Sequence, residues 1–302
     1  MITIGENIHI ISKSVREALE KKDENFIKNI IKIQQNLDCI DLNVGPAKGK
    51  LDKIFEWLIP LIKDKNISLD STNTQAIIEG FNLIQNPKNC FINSTSKDEE
   101  RLEPLTDLAS EKACNIIALT MSKDLGIPKT ADERLEFAFE IYEKCLEKGI
   151  EENKIFFDPL IIPIKAEQSQ AIEALNTIRM IKESFENVRT VIGLSNISNG
   201  VPKEFRTLVN QVFATFAYGA GLDAIILDAK DNELLRILKM LQNNSPTNIV
   251  DNLYIKIADT IKNFGELEDI NFDKNNIEEQ NIIKTALVLT NKNIYSDSFT
   301  QV

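Results

Sequence analysis

The sequence is poor in basic charge, histidine and cysteine, and each shortage excludes a class of protein. Against 46 Asp and Glu residues stand 35 Lys and Arg, so the formal charge of the 302-residue chain is -11. Clustered Lys and Arg hold nucleic acids and anionic membranes, and we therefore expect neither as a partner. One histidine supplies too few ligands for a zinc site, and the four cysteines form no close pair. We expect these cysteines to be small core residues of a reduced protein.

Long hydrophobic runs are also missing. The longest uncharged segment, residues 207–222, is too short to span a bilayer and contains Asn210 and Gln211, so it predicts a buried helix. Residues 1–11 lack the basic segment and cleavage pattern of a signal peptide. We therefore expect a cytoplasmic protein.

What the sequence does contain is one pattern repeated eight times: a short apolar run, one or two polar residues, and then a stretch with helical spacing. Each repeat has roughly the 30 residues of a βα unit. Alternation of this kind predicts an α/β fold, a (β/α)8 TIM barrel, with residues 1–302 forming a single domain. The apolar runs are residues 2–4, 39–42, 67–69, 90–92, 115–119, 155–157, 190–194 and 223–227.

The stretches between the runs have the amphipathic spacing of helices. Thr130 and Glu133 have the spacing of a capping box, which predicts that a helix begins there. Residues 242–280 break the repeat, and we interpret them as a surface insertion with a helix at 249–264. The other predicted helices are residues 13–37, 53–63, 74–84, 97–112, 168–184, 203–218, 233–241 and 282–289.

Polar residues at the ends of the predicted strands are the candidate site, because strand ends face the active site in barrels of this kind. The most concentrated group lies in residues 190–200, where an apolar run changes abruptly into amides, hydroxyls and glycine. The strand-end residues are mainly acceptors and amides: Glu6, Asp41, Asn43, Asp70, Asn73, Asn93, Thr120, Asp158, Ser195, Asn196, Asn199 and Asp228.

This set of side chains favours some chemistries over others. A hydrolase triad lacks a base, since the only histidine, His9, follows the first strand and no Gly-x-Ser-x-Gly motif is present. A magnesium site built from Asp41, Asp70 and Asp158 stays open on ligand type. The interleaved amides favour a flat heterocycle such as an aminopyrimidinone, because a carboxylate accepts two parallel N–H bonds and an amide both donates and accepts.

The chain resembles the methyltetrahydrofolate:corrinoid methyltransferases of the pterin-binding barrel superfamily, in particular those that serve the corrinoid/iron–sulfur protein of the acetyl-CoA pathway. They are related to the folate domain of cobalamin-dependent methionine synthase. The resemblance is carried by Gly5-Glu6, Asp41-Leu-Asn-Val-Gly-Pro46, Leu69-Asp-Ser-Thr-Asn73, Ile92-Asn-Ser-Thr95, Leu119-Thr-Met121, Gly126-Ile-Pro128, Asp158-Pro-Leu160, Gly193-Leu-Ser-Asn-Ile-Ser198, Gly221-Leu-Asp-Ala224 and Tyr295-Ser-Asp-Ser298.

The resemblance implies transfer of the N5-methyl group of methyltetrahydrofolate to the Co(I) corrinoid of a partner protein, with no metal bound by this chain. Asp70, Asn93 and Asp158 would hold the pterin edge, and Asn196 would lie next to N5, which makes Asn196 and Asp158 the expected catalytic residues. Ser195, Asn199 and Arg206 would lie along the folate or near the corrinoid. The resemblance also implies a homodimer.

Three other functions stay open. A dihydropteroate synthase-like enzyme would share the barrel but needs a different second-strand loop and a C-terminal Lys-Gly-Ser motif, and the sequence has neither. A magnesium-dependent lyase or aldolase would use Asp41, Asp70 and Asp158. A folate-binding protein without catalytic activity would bind the pterin but transfer no methyl group.

Overall fold

The computed structural model describes residues 1–300, and in this range eight parallel strands close into a barrel in sequence order. The first strand pairs with both the second and the eighth, which completes the ring. The predicted barrel is therefore confirmed. The strands are β1 (Ile2–His9), β2 (Cys39–Asn43), β3 (Asn66–Asp70), β4 (Phe91–Thr95), β5 (Asn115–Leu119), β6 (Ile155–Asp158), β7 (Arg189–Gly193) and β8 (Ala224–Leu227).

Helices follow the strands around the outside of the barrel. None of them, in the described residues, is long and apolar enough to cross a membrane. They are α1 (Lys13–Lys21), α2 (Glu24–Ile33), α3 (Ile54–Leu58), α4 (Thr74–Phe81), α5 (Glu99–Lys112), α6 (Ala131–Glu147), α7 (Gln170–Ser184), α8 (Lys203–Gly219), α9 (Asn232–Asn243), α10 (Ile249–Lys262) and α11 (Ile277–Leu289).

The first βα unit differs from its prediction in two ways. β1 continues to His9, so Glu6 lies inside the strand and not after it, because pairing with β2 resumes beyond an irregularity between Gly5 and Ile8. The single helix predicted for residues 13–37 is wrong. Lys22 adopts the left-handed conformation at φ 53° and ends α1, and Asp23 then caps α2 by accepting a hydrogen bond from the Phe26 N–H.

The barrel has an apolar layer inside the strands and a larger apolar shell between strands and helices. The inner layer includes Ile4, Phe91, Phe156 and Val191, all buried. The four cysteines are free and buried, as predicted, and they fill space in these layers. The inner layer closes the centre of the barrel, so only the two ends can admit a ligand.

The N-terminus of α6 confirms the predicted capping box. The Thr130 hydroxyl accepts from the Glu133 N–H, and the Glu133 carboxylate accepts from the Thr130 N–H at 3.1 Å. This cap fixes the start of α6 and thereby the end of the loop that leads from β5 across the barrel mouth.

Residues 242–280 contain α10, which begins at Ile249 as predicted and packs on α8. Tyr254 and Ile257 of α10 are buried in the same core cluster as Phe213 and Phe216 of α8. At the closest approach, a Cβ added to Gly219 would lie 2.4 Å from the Ala258 carbonyl oxygen and 3.1 Å from Ile261 Cβ. Glycine at 219 therefore lets the two helices touch.

We expect Gly219→Ala to destabilise the protein by about 1–3 kcal/mol, because the new methyl group meets backbone that cannot move aside cheaply. Helix propensity alone predicts the opposite sign, a gain of about 1 kcal/mol. Urea unfolding measures the difference. Thr207→Ala, at an exposed position of α8, is the matched control and should not destabilise. A more stable Gly219→Ala protein would show that α8 and α10 are not packed as described.

Candidate active site

Three neighbouring strands place a row of polar side chains at the C-terminal mouth of the barrel. Asn43, Asp70 and Asn93 are direct neighbours across β2, β3 and β4. The Asn43 amide donates to Asp70, and the Asn93 amide donates to Asp41 Oδ1 at 3.1 Å. Two of the predicted pterin-edge residues, Asp70 and Asn93, are thus side by side, with Asp41 one layer below them.

Asp70 lies close to one cation, Arg101 of α5. Burial and the nearby charge of Asp41 raise the pKa of Asp70 well above its usual range, while the Asn43 hydrogen bond and Arg101 oppose the rise. The Arg101 guanidinium donates to the carbonyl oxygens of Ser71 at 2.7 Å and Ser94 at 2.5 Å. Arg101 therefore ties the loop after β3 to the end of β4, next to Asp70 and Asn93.

Asp158 ends β6 on the other side of the mouth and is 9% exposed. Its Oδ1 accepts from the Leu160 N–H at 2.8 Å. Burial raises the pKa of Asp158 to about 7, against smaller opposing effects from this hydrogen bond and from Arg134. A carboxyl group in this state carries a proton about half the time near neutral pH, and a ligand with N–H donors would favour the charged form.

Glu6 faces the same mouth from β1. It accepts a hydrogen bond from the Ser195 hydroxyl, which fixes the turn after β7 to β1. Burial raises the pKa of Glu6 to about 7, the Ser195 hydrogen bond opposes this, and the negative charges of Asp228 and Asp41 add to it. Ser195, predicted to lie along the folate, is thus held by a buried acid.

The turn after β7, Leu194–Ser198, presents Asn196 at the rim. Asn196 is exposed, and its Oδ1 accepts from Asn199 Nδ2 at 3.3 Å. Its Nδ2 lies over Gly193, where an added Cβ would be only 3.0 Å away. Arg206 is exposed on the first turn of α8 and donates to the Val201 carbonyl oxygen at 2.7 Å. Of the four predicted residues of this segment, Ser195 thus contacts Glu6, whereas Asn196, Asn199 and Arg206 are exposed to solvent.

The prediction from sequence missed the two arginines next to the acids. Arg134 of α6 is fully buried and donates to the Pro128 carbonyl oxygen at 3.0 Å and to the Gln170 side chain. A signal was present, because Arg134 shares one helix face with Phe137 and Ile141, where an arginine is unusual. Arg101 gave a weaker signal, since it lies beside Leu102 at the edge of the apolar face of α5.

The acids at the mouth bear on the magnesium alternative. Across residues 1–300 no group of three or more His, Cys, Asp or Glu side chains is placed to hold a metal ion. Of the magnesium ligands considered from sequence, Asp41 and Asp70 each accept from an asparagine, and Asp158 accepts from the Leu160 N–H. The geometry therefore favours hydrogen bonding to an organic ring over magnesium chemistry.

Glu6 gives a prediction for pH dependence. Because its folded pKa is raised to about 7 from 4.5, its contribution to stability is complete below pH 4.5 and is lost as the pH rises through 7. Between pH 5 and pH 8, wild-type stability should fall by about 1–2 kcal/mol more than that of Glu6→Gln. Urea unfolding at both pH values measures this, with Glu136→Gln, an exposed position of α6, as the control. Equal falls in wild type and Glu6→Gln would contradict the assignment.

Fold and site together define a (β/α)8-barrel protein with acid and amide side chains at the C-terminal mouth. Comparison with known proteins gives the family. The family model described as "Pterin binding enzyme" matches residues 33–228, which include β2 to β8, and the chain belongs to this family.

Two relatives of known name resemble the chain over most of its length. The methylcorrinoid:tetrahydrofolate methyltransferase of Eubacterium limosum is 26% identical over 242 residues, which are 78% of this chain and 88% of the relative. The methionine synthase of Mycobacterium tuberculosis is 30% identical over 247 residues, 76% of this chain but only 20% of that much longer protein.

Solved structures of dihydropteroate synthases share the fold. The enzyme from Yersinia pestis superposes with a TM-score of 0.55 at 15% identity, covering 80% of this chain and 92% of that one. The Coxiella burnetii enzyme, solved with pteroic acid, gives 0.56 at 16% identity, covering 87% and 93%. At such identities the likeness establishes the barrel and carries no further conclusion.

Proposed function

We propose that this protein moves a methyl group between N5 of tetrahydrofolate and the cobalt of a corrinoid carried by a partner protein. The observation that carries the proposal is the pairing of a buried acid–amide floor with an exposed carboxamide, Asn196, at the rim above it. The acids and amides can hydrogen-bond the N–H and carbonyl groups of a pterin's aminopyrimidinone ring. The exposed position of Asn196 would leave the reacting atom of the ligand accessible to a second protein. The methyltransferase name of the Eubacterium limosum relative supports this reading.

In the proposed complex, Asp70, Asn93 and Asp158 bind the pterin edge. The Asp158 carboxylate accepts two N–H bonds from the ring, and the Leu160 N–H holds it in place. Asn196 donates from Nδ2 to N5, while Asn199 fixes its Oδ1. Ser195, Asn199 and Arg206 lie along the rest of the folate or next to the corrinoid.

The chemical difficulty is the leaving group. When the methyl group leaves N5, the N5–C bond breaks and its electron pair stays on nitrogen, while Co(I) supplies the pair for the new Co–C bond. A neutral tertiary amine leaves poorly unless N5 gains a proton or a strong hydrogen bond. The Asn196 amide supplies the hydrogen bond without titrating, and the proton comes from solvent or from the acids around Asp158.

The direction of transfer has two candidates. The sequence-based prediction runs from methyltetrahydrofolate to Co(I), whereas the name of the Eubacterium limosum relative describes transfer from a methylcorrinoid to tetrahydrofolate. Both directions pass through the same transition state, so the roles of the residues are unchanged. The affinities of the two folates and the corrinoid partner would set the direction in the cell.

The test is single-turnover methyl transfer from 5-methyltetrahydrofolate to free cob(I)alamin, followed by visible absorbance in EDTA, and then the reverse reaction. We expect transfer in both directions. Folate binding without transfer would instead indicate a binding protein, magnesium-dependent binding of a small oxyacid would indicate a lyase or aldolase, and condensation of a pterin pyrophosphate with p-aminobenzoate would indicate a dihydropteroate synthase-like enzyme.

The assembly is part of the same proposal. We propose a corrinoid/iron–sulfur protein as the partner, a homodimer as the working form and a role in the acetyl-CoA pathway. Sedimentation of the purified chain tests the dimer, and comparison of transfer rates to free and protein-bound corrinoid tests the partner. A monomer that transfers methyl groups equally fast to free and to protein-bound corrinoid would refute the proposed dimer and partner. It would not contradict the proposed methyl transfer.

A further inference from the structure

The other end of the barrel, at the N-terminal ends of the strands, contains a second polar cavity of about 320 Å³. In barrels of this type the N-terminal end usually serves stability, so a polar cavity there calls for an explanation. Its apolar floor is formed by Ile2, Cys39 and Phe91. The inner apolar layer separates it from the mouth, and the proposed methyl transfer makes no use of it.

Two groups at this cavity have hydrogen-bonding capacity that the protein does not use. Asn115 is only 6% exposed, yet none of the hydrogen bonds found within residues 1–300 involves its side-chain amide. Arg189 lies over the ring of Phe156 at 5.5 Å, and no hydrogen bond or ion pair in the same residues involves its guanidinium. Both groups line the cavity, so a polar ligand there would meet an amide and a guanidinium that are free to bind it.

The carboxylates nearest the cavity have other partners. Asp223, at the start of the neighbouring strand, accepts from Lys182 and from the Thr190 N–H, both at 2.9 Å. Asp38, on the cavity rim, accepts from the N–H and the hydroxyl of Thr3, both at 2.8 Å.

The rim carries a second cation, Lys154, which donates to the Lys88 carbonyl oxygen at 2.8 Å. Burial, and then the positive charges of Lys88 and Arg189, lower the pKa of Lys154. The charged residues that line the cavity are two cations, Lys154 and Arg189, and one carboxylate, Asp38. The cavity therefore has a local excess of positive charge, although the protein has a formal charge of -11. An anion is therefore the ligand that this charge distribution favours.

We propose that this cavity binds a small organic acid, with a carboxylate on the Arg189 guanidinium and a second polar group on the Asn115 amide. The planar fork of arginine matches the two oxygens of a carboxylate, and an amide recognises either a donor or an acceptor. The volume lies at the lower end of the range for small-molecule sites. The guanidinium lies 5.5 Å from the centre of the Phe156 ring, within cation–π range, which favours its position at the cavity.

The test is calorimetric titration of the full chain with malonate as the probe, at constant ionic strength, with acetate and inorganic phosphate in parallel. We expect malonate to bind more tightly than either. Arg189→Gln should weaken malonate binding about tenfold or more, because a charge-assisted bidentate contact is lost. Asn115→Ala should weaken it less. Arg16→Gln, at an exposed position of α1, removes the same charge elsewhere and should leave binding unchanged.

Any of three titration results would overturn the proposal. They are no malonate binding up to about 10 mM, in the range of millimolar affinities, equal binding by Arg189→Gln and wild type, and tighter binding of phosphate than of malonate. Competition between malonate and 5-methyltetrahydrofolate would also overturn it, because it would place malonate in the mouth. If Arg189→Gln does not fold, Arg189→Lys and Asn115→Ala test the proposal instead. Lysine keeps the positive charge but lacks the planar guanidinium, so Arg189→Lys should bind malonate more weakly than wild type without losing binding.

Discussion

Replacing Asn196 by alanine is expected to slow methyl transfer about 10²- to 10³-fold, the loss seen when one preorganised hydrogen-bond donor to a developing charge is removed. The reason is the position of its amide. Asn199 holds Oδ1 at 3.3 Å, and the smallness of Gly193 lets Nδ2 lie against the rim. Because the proposed bond to N5 strengthens as charge redistributes, its loss should affect the rate much more than folate binding.

The measurement is single-turnover transfer to cob(I)alamin together with the Kd of 5-methyltetrahydrofolate. The rate should fall while the Kd changes less than about tenfold, since one neutral hydrogen bond is worth about 1 kcal/mol. Asn82→Ala, at an exposed position beyond the end of α4, is the matched control. If Asn196→Ala keeps the wild-type rate of methyl transfer, Asn196 is not a catalytic residue. A large loss of binding with unchanged turnover would instead make it a binding residue.

The barrel could be predicted from sequence because each unit repeats the same physical signal. A short apolar run must be buried, and the polar residue after it cannot follow into the core, so the strand end is visible in the sequence. The run 190–194 followed by Ser195 and Asn196 shows this directly. The structure has β7 at Arg189–Gly193, with the turn at Leu194–Ser198 presenting both side chains at the mouth.

The first unit shows where that signal fails. β1 extends through Glu6 and Asn7, whose polar side chains interrupt the apolar run although both residues are in the strand. They are satisfied by distant partners, since Asn7 donates to Asp228 Oδ1 at 2.5 Å and Glu6 accepts from Ser195. No local pattern can show that a polar residue will find a partner about 190 to 220 residues away along the chain, beyond the end of a strand that barrel closure brings near it.

The same limit applies to the arginines behind the acids. Arg101 donates to backbone carbonyl oxygens in the loop after β3 and in β4, and a backbone partner cannot be recognised from residue types. The shifts in pKa are likewise invisible in sequence, because they come from burial and from charges on other strands, as for Asp70 and Asp41. The residue types at the mouth could be predicted from sequence. Their protonation states, and the arginines that hold the neighbouring backbone in place, could be described only from the folded structure.

Asp158→Asn is expected to act in opposite directions on binding and on stability. The Kd of 5-methyltetrahydrofolate should rise about 10²- to 10⁴-fold, because two charge-assisted bonds of roughly 1.5–3 kcal/mol each are lost. The free protein should nevertheless become more stable at pH 8. Burial raises the pKa of Asp158 to about 7, so its contribution to stability is complete below 3.8, its ordinary value, and is lost as the pH rises through 7.

At pH 8 the wild-type protein therefore carries the cost of a buried charge, and the asparagine removes it, for a gain of roughly 1–3 kcal/mol. At pH 4 the two proteins should be nearly equal, since Asp158 is then protonated when folded. Asp259→Asn, at an exposed position of α10 on the outside of the barrel, is the control and should change neither quantity. Thermal unfolding at both pH values and calorimetry with the folate measure the pair of effects. If Asp158→Asn loses both folate binding and stability, the substitution has damaged the fold. Weaker binding in a more stable protein would mean that the buried charge of Asp158 serves the ligand and destabilises the free protein.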